Sequence, residues 1–291
     1  MGLATWFETF CSNIRMTDDT VSKISFRYHV ITRRLNLDFW NSSSDTEHSF
    51  YVGSYGRDTE IFASDIDMLF CLPSQVYARY NMYQSNGQSA LLQAVKNSLR
   101  RTYSLTELKG DGQIIKVSFS DDINFEVLPA FINSDGRTYT YADSNNYGSW
   151  KVTDPKSEIA AISNRNMLCN WNLKRLCKMM RAWKDNMDVP IKGILIDTLA
   201  YQFIDNWKWK DKSYLYYDWI CRDFFKFCEE QNPDQEWWRA PGSGRFVYNS
   251  ENFRYKAKRA YNISLEAIEV EEYEYIAKSK WRQIFGPKFP Y

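Results

Sequence analysis

Two aspartates separated by one residue are the most chemically suggestive feature of this sequence. Asp65 and Asp67 lie in SDIDMLF, where they alternate with Ile66, Met68 and Phe70. This alternation is typical of a β-strand, in which every second side chain projects from the same face. The two carboxylates should therefore share one face, with their Cα atoms about 6.5 to 7 Å apart. Acids held this close repel each other unless a cation lies between them, and hard oxygen ligands select Mg²⁺ or Mn²⁺.

A turn of small residues upstream of the two aspartates favours a functional interpretation of the pair. An Asp-x-Asp pair alone also fits an ordinary strand end with solvated acids. Gly53, however, permits close approach of the backbone to a ligand, and the hydroxyl and main-chain N–H of Ser54 can bind phosphate oxygens. Together, the turn and the acid pair predict a site that holds metal ions and a triphosphate.

A third carboxylate is expected from the segment INFEVLPAF. Alternation there places Asn124, Glu126 and Leu128 on one face of a strand. This position favours Glu126 as the third metal ligand. Asp121 and Asp122 compete for the role, but they fall in the preceding turn, where acids are common because they form local hydrogen bonds.

A helix in the second half of the chain carries a cationic stripe. After Asn172, the residues Lys174, Lys178 and Arg181 recur at positions i, i+4 and i+7, beside an apolar face. A solvated basic helix face is the alternative. Because a triphosphate needs compact positive charge, we interpret the three cations as nucleotide-binding residues.

The surrounding elements indicate an α+β protein with two lobes. Thr17 is the N-cap candidate of a long amphipathic helix that we expect to span both lobes. Strand patterns over 49–52, 66–72, 114–119 and 123–131 enclose a helix over 89–103. From about residue 154 the pattern is helical, ending in one charged helix over about 250–281. We place the lobes at 1–153 and 154–291.

Composition restricts the partners. The 37 basic residues nearly cancel the 36 acidic ones, far from the balance of a protein dedicated to long nucleic acids. The N-terminus has no signal-peptide pattern, and no run approaches about 18 apolar residues. We therefore expect a cytoplasmic protein without membrane contact. The six cysteines form no C-x-x-C pair, which disfavours zinc or disulfide roles.

The order of these motifs resembles a known family. G-S-Y-x-x-x-T-x-I, then S-D-I-D, F-E-V-L-P-A-F and the helix K-R-L-C-K-M-M-R-A-W are similar to the cGAS/DncV-like nucleotidyltransferases. These SMODS-domain enzymes of bacterial antiphage (CBASS) operons belong to the DNA polymerase β-like superfamily. The resemblance covers most of the chain. It implies a polymerase β-like mixed sheet in 1–153 and a helical lobe in 154–291 that closes a nucleotide cage.

The resemblance also implies roles for the acids and the turn. Gly53 and Ser54 would hold the donor phosphates. Asp65 and Asp67 would bind both of two metal ions, and Glu126 would bind the ion that activates the attacking hydroxyl.

Three positions depart from the family pattern, and one role has two candidate residues. Arg181, or Lys178 one turn earlier, falls where relatives have a triphosphate-binding base. Glu126 replaces the common aspartate, Gly193 replaces a serine that contacts the triphosphate, and Asp58 replaces a glycine in the turn.

The activity implied by the resemblance is cyclic dinucleotide synthesis. Two purine nucleoside triphosphates, drawn from GTP and ATP, would be joined with two Mg²⁺ ions (or Mn²⁺) and release of pyrophosphate, with cyclic di-GMP, made from two GTP, as the favoured product. The product would act as a second messenger in antiphage defence through a receptor effector, and we expect a monomeric enzyme. Two alternatives stay open: a superfamily nucleotidyltransferase that acts on RNA or protein, and an inactive nucleotide-binding scaffold. The near-neutral charge disfavours RNA, and the three acids disfavour the scaffold.

Overall fold

The chain forms two compact units that do not follow the sequence order. The computed structural model describes residues 2–62 and 65–291. The first unit combines Met1–Arg15, Asp58–Ile61 and Glu158–Tyr291. The second unit combines Met16–Arg57 with Phe62–Ser157. The expected lobes at 1–153 and 154–291 differ from these units chiefly in two short segments. Met1–Arg15 and Asp58–Ile61 belong to the first unit, together with the C-terminal part of the chain.

The second unit is built around a seven-stranded mixed sheet. The elements are α2 (Asp18–Phe39), β1 (Ser49–Tyr51), α3 (Gly53–Arg57), β2 (Asp65–Cys71), α4 (Ser74–Asn81), α5 (Gly87–Arg100), β3 (Glu107–Asp111), β4 (Ile114–Ser118), β5 (Asn124–Ile132), β6 (Tyr139–Asp143) and β7 (Ser149–Thr153). The strand order is β1-β2-β5-β4-β3, with β6 paired to β5 and β7 paired to β6. The β2 and β5 strands run parallel, and the other pairs are antiparallel.

Two helices cover one face of this sheet. The α2 helix begins after Thr17, whose hydroxyl accepts a hydrogen bond from the Thr20 N–H at 3.2 Å, and all of α2 lies in the second unit. Apolar residues of α2, α5 and the strands form one core. A smaller cluster lies on the opposite face, where Leu69 and Ala130 meet Val52. Burial on both sides fixes the strand register, because a slip by one residue would exchange the two faces.

The first unit is helical and rich in buried aromatic residues. Phe7, Phe10, Trp183, Trp281 and Phe285 are all at most 2 % exposed and belong to one core. The elements are α1 (Leu3–Asn13), α6 (Pro155–Leu168), which enters this unit at Glu158, α7 (Asn172–Asn186), α8 (Gly193–Asn206), α9 (Tyr217–Glu229), the hairpin β8 (Trp237–Arg239) and β9 (Phe246–Tyr248), α10 (Arg254–Glu269) and α11 (Glu274–Phe285).

The α+β class expected from the sequence is confirmed by the mixed sheet and the helical C-terminal region. The single charged helix expected over about 250–281 is instead two helices, α10 and α11. Across residues 2–62 and 65–291, no helix is both long enough and apolar enough to cross a membrane.

Candidate active site

The three predicted carboxylates lie on two adjacent parallel strands. Asp67 of β2 is directly opposite Glu126 of β5, and Asp65 is opposite Asn124. Asp65 is exposed, whereas Asp67 and Glu126 are half-buried. The residues that alternate with them on β2 and β5 point to the other face of the sheet, into the core shared with α2 and α5. The alternation expected from the sequence therefore brings the acids together on one face. Ser64, the serine of the S-D-I-D motif, lies outside the described residues.

The acids perturb one another. Burial is the main cause that raises the pKa of Asp67; the charge of Asp65 raises it further and that of Arg57 lowers it. A side-chain hydrogen bond with Glu126 also lowers it. Burial raises the pKa of Glu126 as well, and the charges of Asp67 and Asp65 add to that effect. The cluster thus concentrates negative charge in partly desolvated surroundings, an arrangement that favours a cation.

A lysine from the next strand supplies positive charge to this cluster. Lys116 of β4 is opposite Glu126 in the antiparallel register. Its Nζ lies 2.8 Å from Asp65 Oδ1 and 3.7 Å from Glu126 Oε1. The sequence interpretation did not include Lys116. Its alternation with Ile115 and Val117 was visible, but the pairing that places it beside the acids was not.

The Gly53 turn lies against the acid pair. Gly53 has φ +60°, and a Cβ atom added to it would lie 1.8 Å from Asp67 Oδ2. The N–H of Val52 donates to the main-chain oxygen of Asp67 at 2.9 Å, which ties the turn to β2. Ser54 follows Gly53 within α3. A residue without a side chain is therefore needed at 53 for both conformation and space.

The donor set of this cluster fits a hard divalent cation. Its ligands would be carboxylate oxygens, which Mg²⁺ and Mn²⁺ prefer. In the described part of the chain, no group of three or more acidic, histidine or cysteine side chains already has the spacing of a metal site. The Lys116 ammonium instead lies among the acids. This ammonium is a cation of the chain itself and stands beside two of the three carboxylates.

The two competing acids lie in the turn, as expected. Asp121 forms a bidentate pair with Arg27 of α2, with both N–O distances at 2.8 Å. The hydrogen bond with Arg27 is the main cause that lowers the pKa of Asp121. Asp122 has φ +62°. Asp121 thus fastens the turn to α2, whereas Glu126 is the acid that lies beside Asp67.

In the first unit, two cations of the predicted stripe share one acid. Asp58 Oδ1 lies 2.6 Å from Lys178 Nζ, and Asp58 Oδ2 lies 3.4 Å from Lys174 Nζ. Both lysine side chains keep about a fifth of their surface exposed, at 19 % and 20 %. A cavity of about 220 Å³ beside them is also lined by Arg15 and Arg175. Asp58 has φ +55°, a left-handed conformation that glycine adopts most readily.

The third cation of the stripe is buried and paired. The Arg181 guanidinium contacts Asp197 of α8, with Nη1–Oδ1 at 2.6 Å and Nη2–Oδ2 at 3.0 Å. Nη2 also donates to the Gly193 carbonyl at 3.2 Å. A Cβ at Gly193 would lie 3.3 Å from Nη2, so glycine leaves room for the guanidinium. Lys174 and Lys178 thus remain as the partly exposed cations of the predicted stripe.

A family model now assigns the chain. The model for the Second Messenger Oligonucleotide or Dinucleotide Synthetase (SMODS) domain matches residues 1–166. The chain belongs to the SMODS family. The recognition drawn from the motifs is thereby confirmed, and the matched residues include all three acids and the Gly53 turn.

A curated relative supports this assignment over part of the SMODS chain. A probable cyclic nucleotide synthase of Bacillus cereus (strain VD146) is 22 % identical over 178 residues, which are 57 % of this chain and 51 % of the relative. The chain thus spans about half the length of the curated relative that it matches.

Solved structures share the fold over nearly the whole chain. CdnC of Escherichia coli MS115-1, solved in complex with HORMA-deltaN, has a TM-score of 0.71 at 12 % identity, with 99 % of this chain and 98 % of that chain covered. The Bradyrhizobium diazoefficiens CD-NTase CdnG, in complex with GTP, has a TM-score of 0.67 at 8 % identity and coverages of 97 % and 94 %. Escherichia coli DncV, bound to 3'-deoxy GTP, has a TM-score of 0.64 at 14 % identity and coverages of 94 % and 92 %. The expected polymerase β-like architecture is confirmed by these likenesses.

Proposed function

We propose that this SMODS chain is a metal-dependent nucleotidyltransferase that joins two nucleoside triphosphates into a cyclic dinucleotide. The observation that carries the proposal is the convergence of Asp65, Asp67 and Glu126 on one sheet face, with Asp67 in contact with the Gly53 turn. Three carboxylates beside a turn without side-chain bulk can serve metal ions and phosphate oxygens at one place. Family membership supports the same chemistry.

The acids would hold the metals, and the turn would orient the donor. Two Mg²⁺ ions, with Mn²⁺ as the alternative, would lower the pKa of a ribose hydroxyl and neutralise the leaving pyrophosphate. Asp65 and Asp67 are assigned to both ions and Glu126 to the one near the attacking hydroxyl. Gly53 and Ser54 are assigned to the donor phosphates, which the turn can approach because residue 53 has no side chain.

Each nucleotidyl transfer needs no reactant other than the two nucleotides. The ribose hydroxyl oxygen forms a bond to the α-phosphorus of the donor, and the bond from that phosphorus to the oxygen bridging to the β-phosphate breaks. Pyrophosphate leaves with the electron pair, and the hydroxyl proton is released. A second transfer of the same kind closes the ring. Lys174 and Lys178 are assigned to triphosphate binding, and Arg181 of the same helix supports them from its buried pair with Asp197.

The substrate proposal favours purines. The CdnG and Escherichia coli DncV structures contain GTP and 3'-deoxy GTP, and a CdnC structure was solved with ATP. GTP and ATP are therefore the first substrates to test, with cyclic di-GMP as the leading product. A second-messenger role in antiphage defence, through a receptor effector that binds the product, is supported by the likeness to the cGAS/DncV-like enzymes. The cytoplasmic location and the monomeric state remain predictions from the sequence.

One experiment tests the proposal against its alternatives. The purified chain is incubated with an equimolar mixture of the four ribonucleoside triphosphates and Mg²⁺, and the small-molecule products are identified by mass spectrometry. A cyclic dinucleotide formed without any acceptor supports the proposal, and EDTA should abolish it. Nucleotide found only on added RNA or on protein would instead identify a transferase with a macromolecular acceptor. An inactive scaffold would yield no product of either kind.

A further inference from the structure

Lys116 occupies a position among the acids that the proposed reaction does not explain. Ile115 and Val117 on either side of it are fully buried in the core of the second unit. Their burial fixes β4 and directs Lys116 to the opposite face, where the acids lie. The Lys116 side chain is 31 % exposed, so its ammonium is partly shielded from water. The contacts of Lys116 with the acids are therefore set by the strand register and do not depend on a flexible surface side chain.

The ammonium acts on the same oxygens that would bind metal. It lies 2.8 Å from Asp65 Oδ1 and 3.7 Å from Glu126 Oε1. The Asn124 amide adds a weaker contact to the same Asp65 oxygen at 3.4 Å. A divalent cation bound to these oxygens would lie within a few ångströms of the ammonium, and two cations at that spacing repel each other strongly. Metal binding should therefore weaken or break the contacts of Lys116 with the acids.

We propose that Lys116 is a built-in counter-cation that holds the acid cluster together before metal arrives and is displaced when divalent ions bind. The proposal rests on the proposed function only in assigning metal binding to these acids. Without metal, Lys116 reduces the repulsion between the carboxylates. Lys116 also lowers the affinity of the three carboxylates for divalent ions in the absence of nucleotide. The acids therefore bind metal efficiently only when a triphosphate supplies further oxygen ligands. Lys116 thereby couples metal loading to nucleotide binding.

The chain offers a matched control on the neighbouring strand. Lys109 of β3 is directly opposite Lys116 in the antiparallel register, so both lysines project from the same sheet face. Lys109 is exposed and one strand farther from β5. The variants Lys116→Met and Lys109→Met therefore remove the same charge from the same face and differ in proximity to the acids. Lys116→Arg keeps the charge at the cluster.

Metal affinity is the direct test. Mn²⁺ binding in the absence of nucleotide is measured by electron paramagnetic resonance of the free ion. Lys116→Met should bind Mn²⁺ about thirtyfold more tightly than the wild type, as expected for a divalent ion about 4 Å from one unit charge in a solvent-like dielectric. Lys116→Arg and Lys109→Met should stay within about twofold of the wild type. Equal or weaker Mn²⁺ binding by Lys116→Met would overturn the proposal.

Thermal unfolding separates this effect from a loss of fold. Metal-free Lys116→Met should melt below the wild type because its carboxylates repel, and saturating Mn²⁺ should raise its Tm more than it raises that of the wild type. If Lys116→Met does not fold, Lys116→Gln takes its place with the same expectations; an unchanged Mn²⁺-induced shift in that variant contradicts the proposal. Should the wild type make no cyclic product while the Mn²⁺ affinities behave as stated, the proposed function alone fails. Should the product form while the affinities are unchanged, the role of Lys116 alone fails.

Discussion

Gly53 and Asp67 are packed so closely that a methyl group on residue 53 would overlap the Asp67 carboxylate, with the added Cβ only 1.8 Å from Oδ2. The turn that we propose to cradle phosphate and the central acid of the proposed metal site thus form one structural unit. Because the N–H of Val52 also donates to the Asp67 main chain, the position of the turn depends on the position of β2.

Replacing this glycine should disable the site specifically. Gly53→Ala must move the Asp67 carboxylate or the turn, and misplacement of this size costs on the order of 100-fold in rate. Gly136→Ala is the matched control, because Gly136 also has positive φ, +66°, but faces open space. Both variants should lose about 1–2 kcal/mol of stability from the left-handed conformation. Initial rates of product formation should separate them; equal rates in the two variants would contradict the packing argument.

Asp58 should compete with phosphate for Lys174 and Lys178, which are partly exposed. Asp58→Asn removes the carboxylate shared by Lys174 and Lys178, so binding of inorganic tripolyphosphate should tighten by about three- to tenfold. Asp185→Asn, on the same helix as both lysines and paired with Lys184 at 3.3 Å, is the control and should leave binding unchanged. Isothermal titration calorimetry gives both affinities. Weaker binding by Asp58→Asn would show that Asp58 supports the anion site instead of competing for it.

The buried Arg181–Asp197 pair should matter mainly for stability. Asp197 is fully buried, and the Arg181 side chain is 9 % exposed, so removing one charge leaves the other desolvated without a counter-charge. Asp197→Asn should lower the free energy of unfolding by about 3–5 kcal/mol. The exposed Lys184–Asp185 pair offers a comparison, and Asp185→Asn should cost less than about 1 kcal/mol. Urea unfolding of both variants measures the difference, and similar costs would disprove the distinction.

A buried acid outside the proposed site should make stability depend on pH. Burial raises the pKa of Asp218 to about 7, and its Oδ1 has no hydrogen-bond partner within the described part of the chain. An unfolded aspartate has a pKa of about 3.9. Between about pH 4 and pH 7 the folded state therefore binds a proton that the unfolded state has released. The stability contributed by this proton is present below pH 4 and is lost as the pH rises through 7.

Asp218→Asn should remove that part of the pH dependence. The wild type should lose on the order of 2–4 kcal/mol more than the variant when the pH is raised from about 4.5 to 8. Chemical unfolding of both proteins across this range provides the measurement. Parallel stability curves would show that Asp218 titrates at the same pH in the folded and unfolded states.

Local patterns predicted the acids and most of the surrounding elements. The period of two placed Asp65, Asp67 and Glu126 on strand faces, and the cap and spacing at Thr17 predicted the start of α2 at Asp18. Such signals depend on near neighbours in the sequence, which is why they could be read without knowing the fold.

Contacts between residues that are far apart in the sequence could not be predicted from local patterns. The place of Lys116 beside Asp65 follows from the β4–β5 register, and no local signal fixes that register. Arg181 follows the lysines at helical spacing, yet its burial depends on Asp197 from another helix. The charged pattern over 250–281 was continuous, and it did not reveal the break between α10 and α11.

Pyrophosphate release by the double variant Asp65→Asn with Asp67→Asn tests the account most directly. The wild type, supplied with nucleoside triphosphates and Mg²⁺, should release pyrophosphate at a rate that EDTA abolishes. Asp121→Asn, which alters the acid paired with Arg27 away from β2, should retain that activity. The double variant should fold and show no release above the protein-free background. Release at the wild-type rate by the double variant would contradict the assignment of these two aspartates to the catalytic metals.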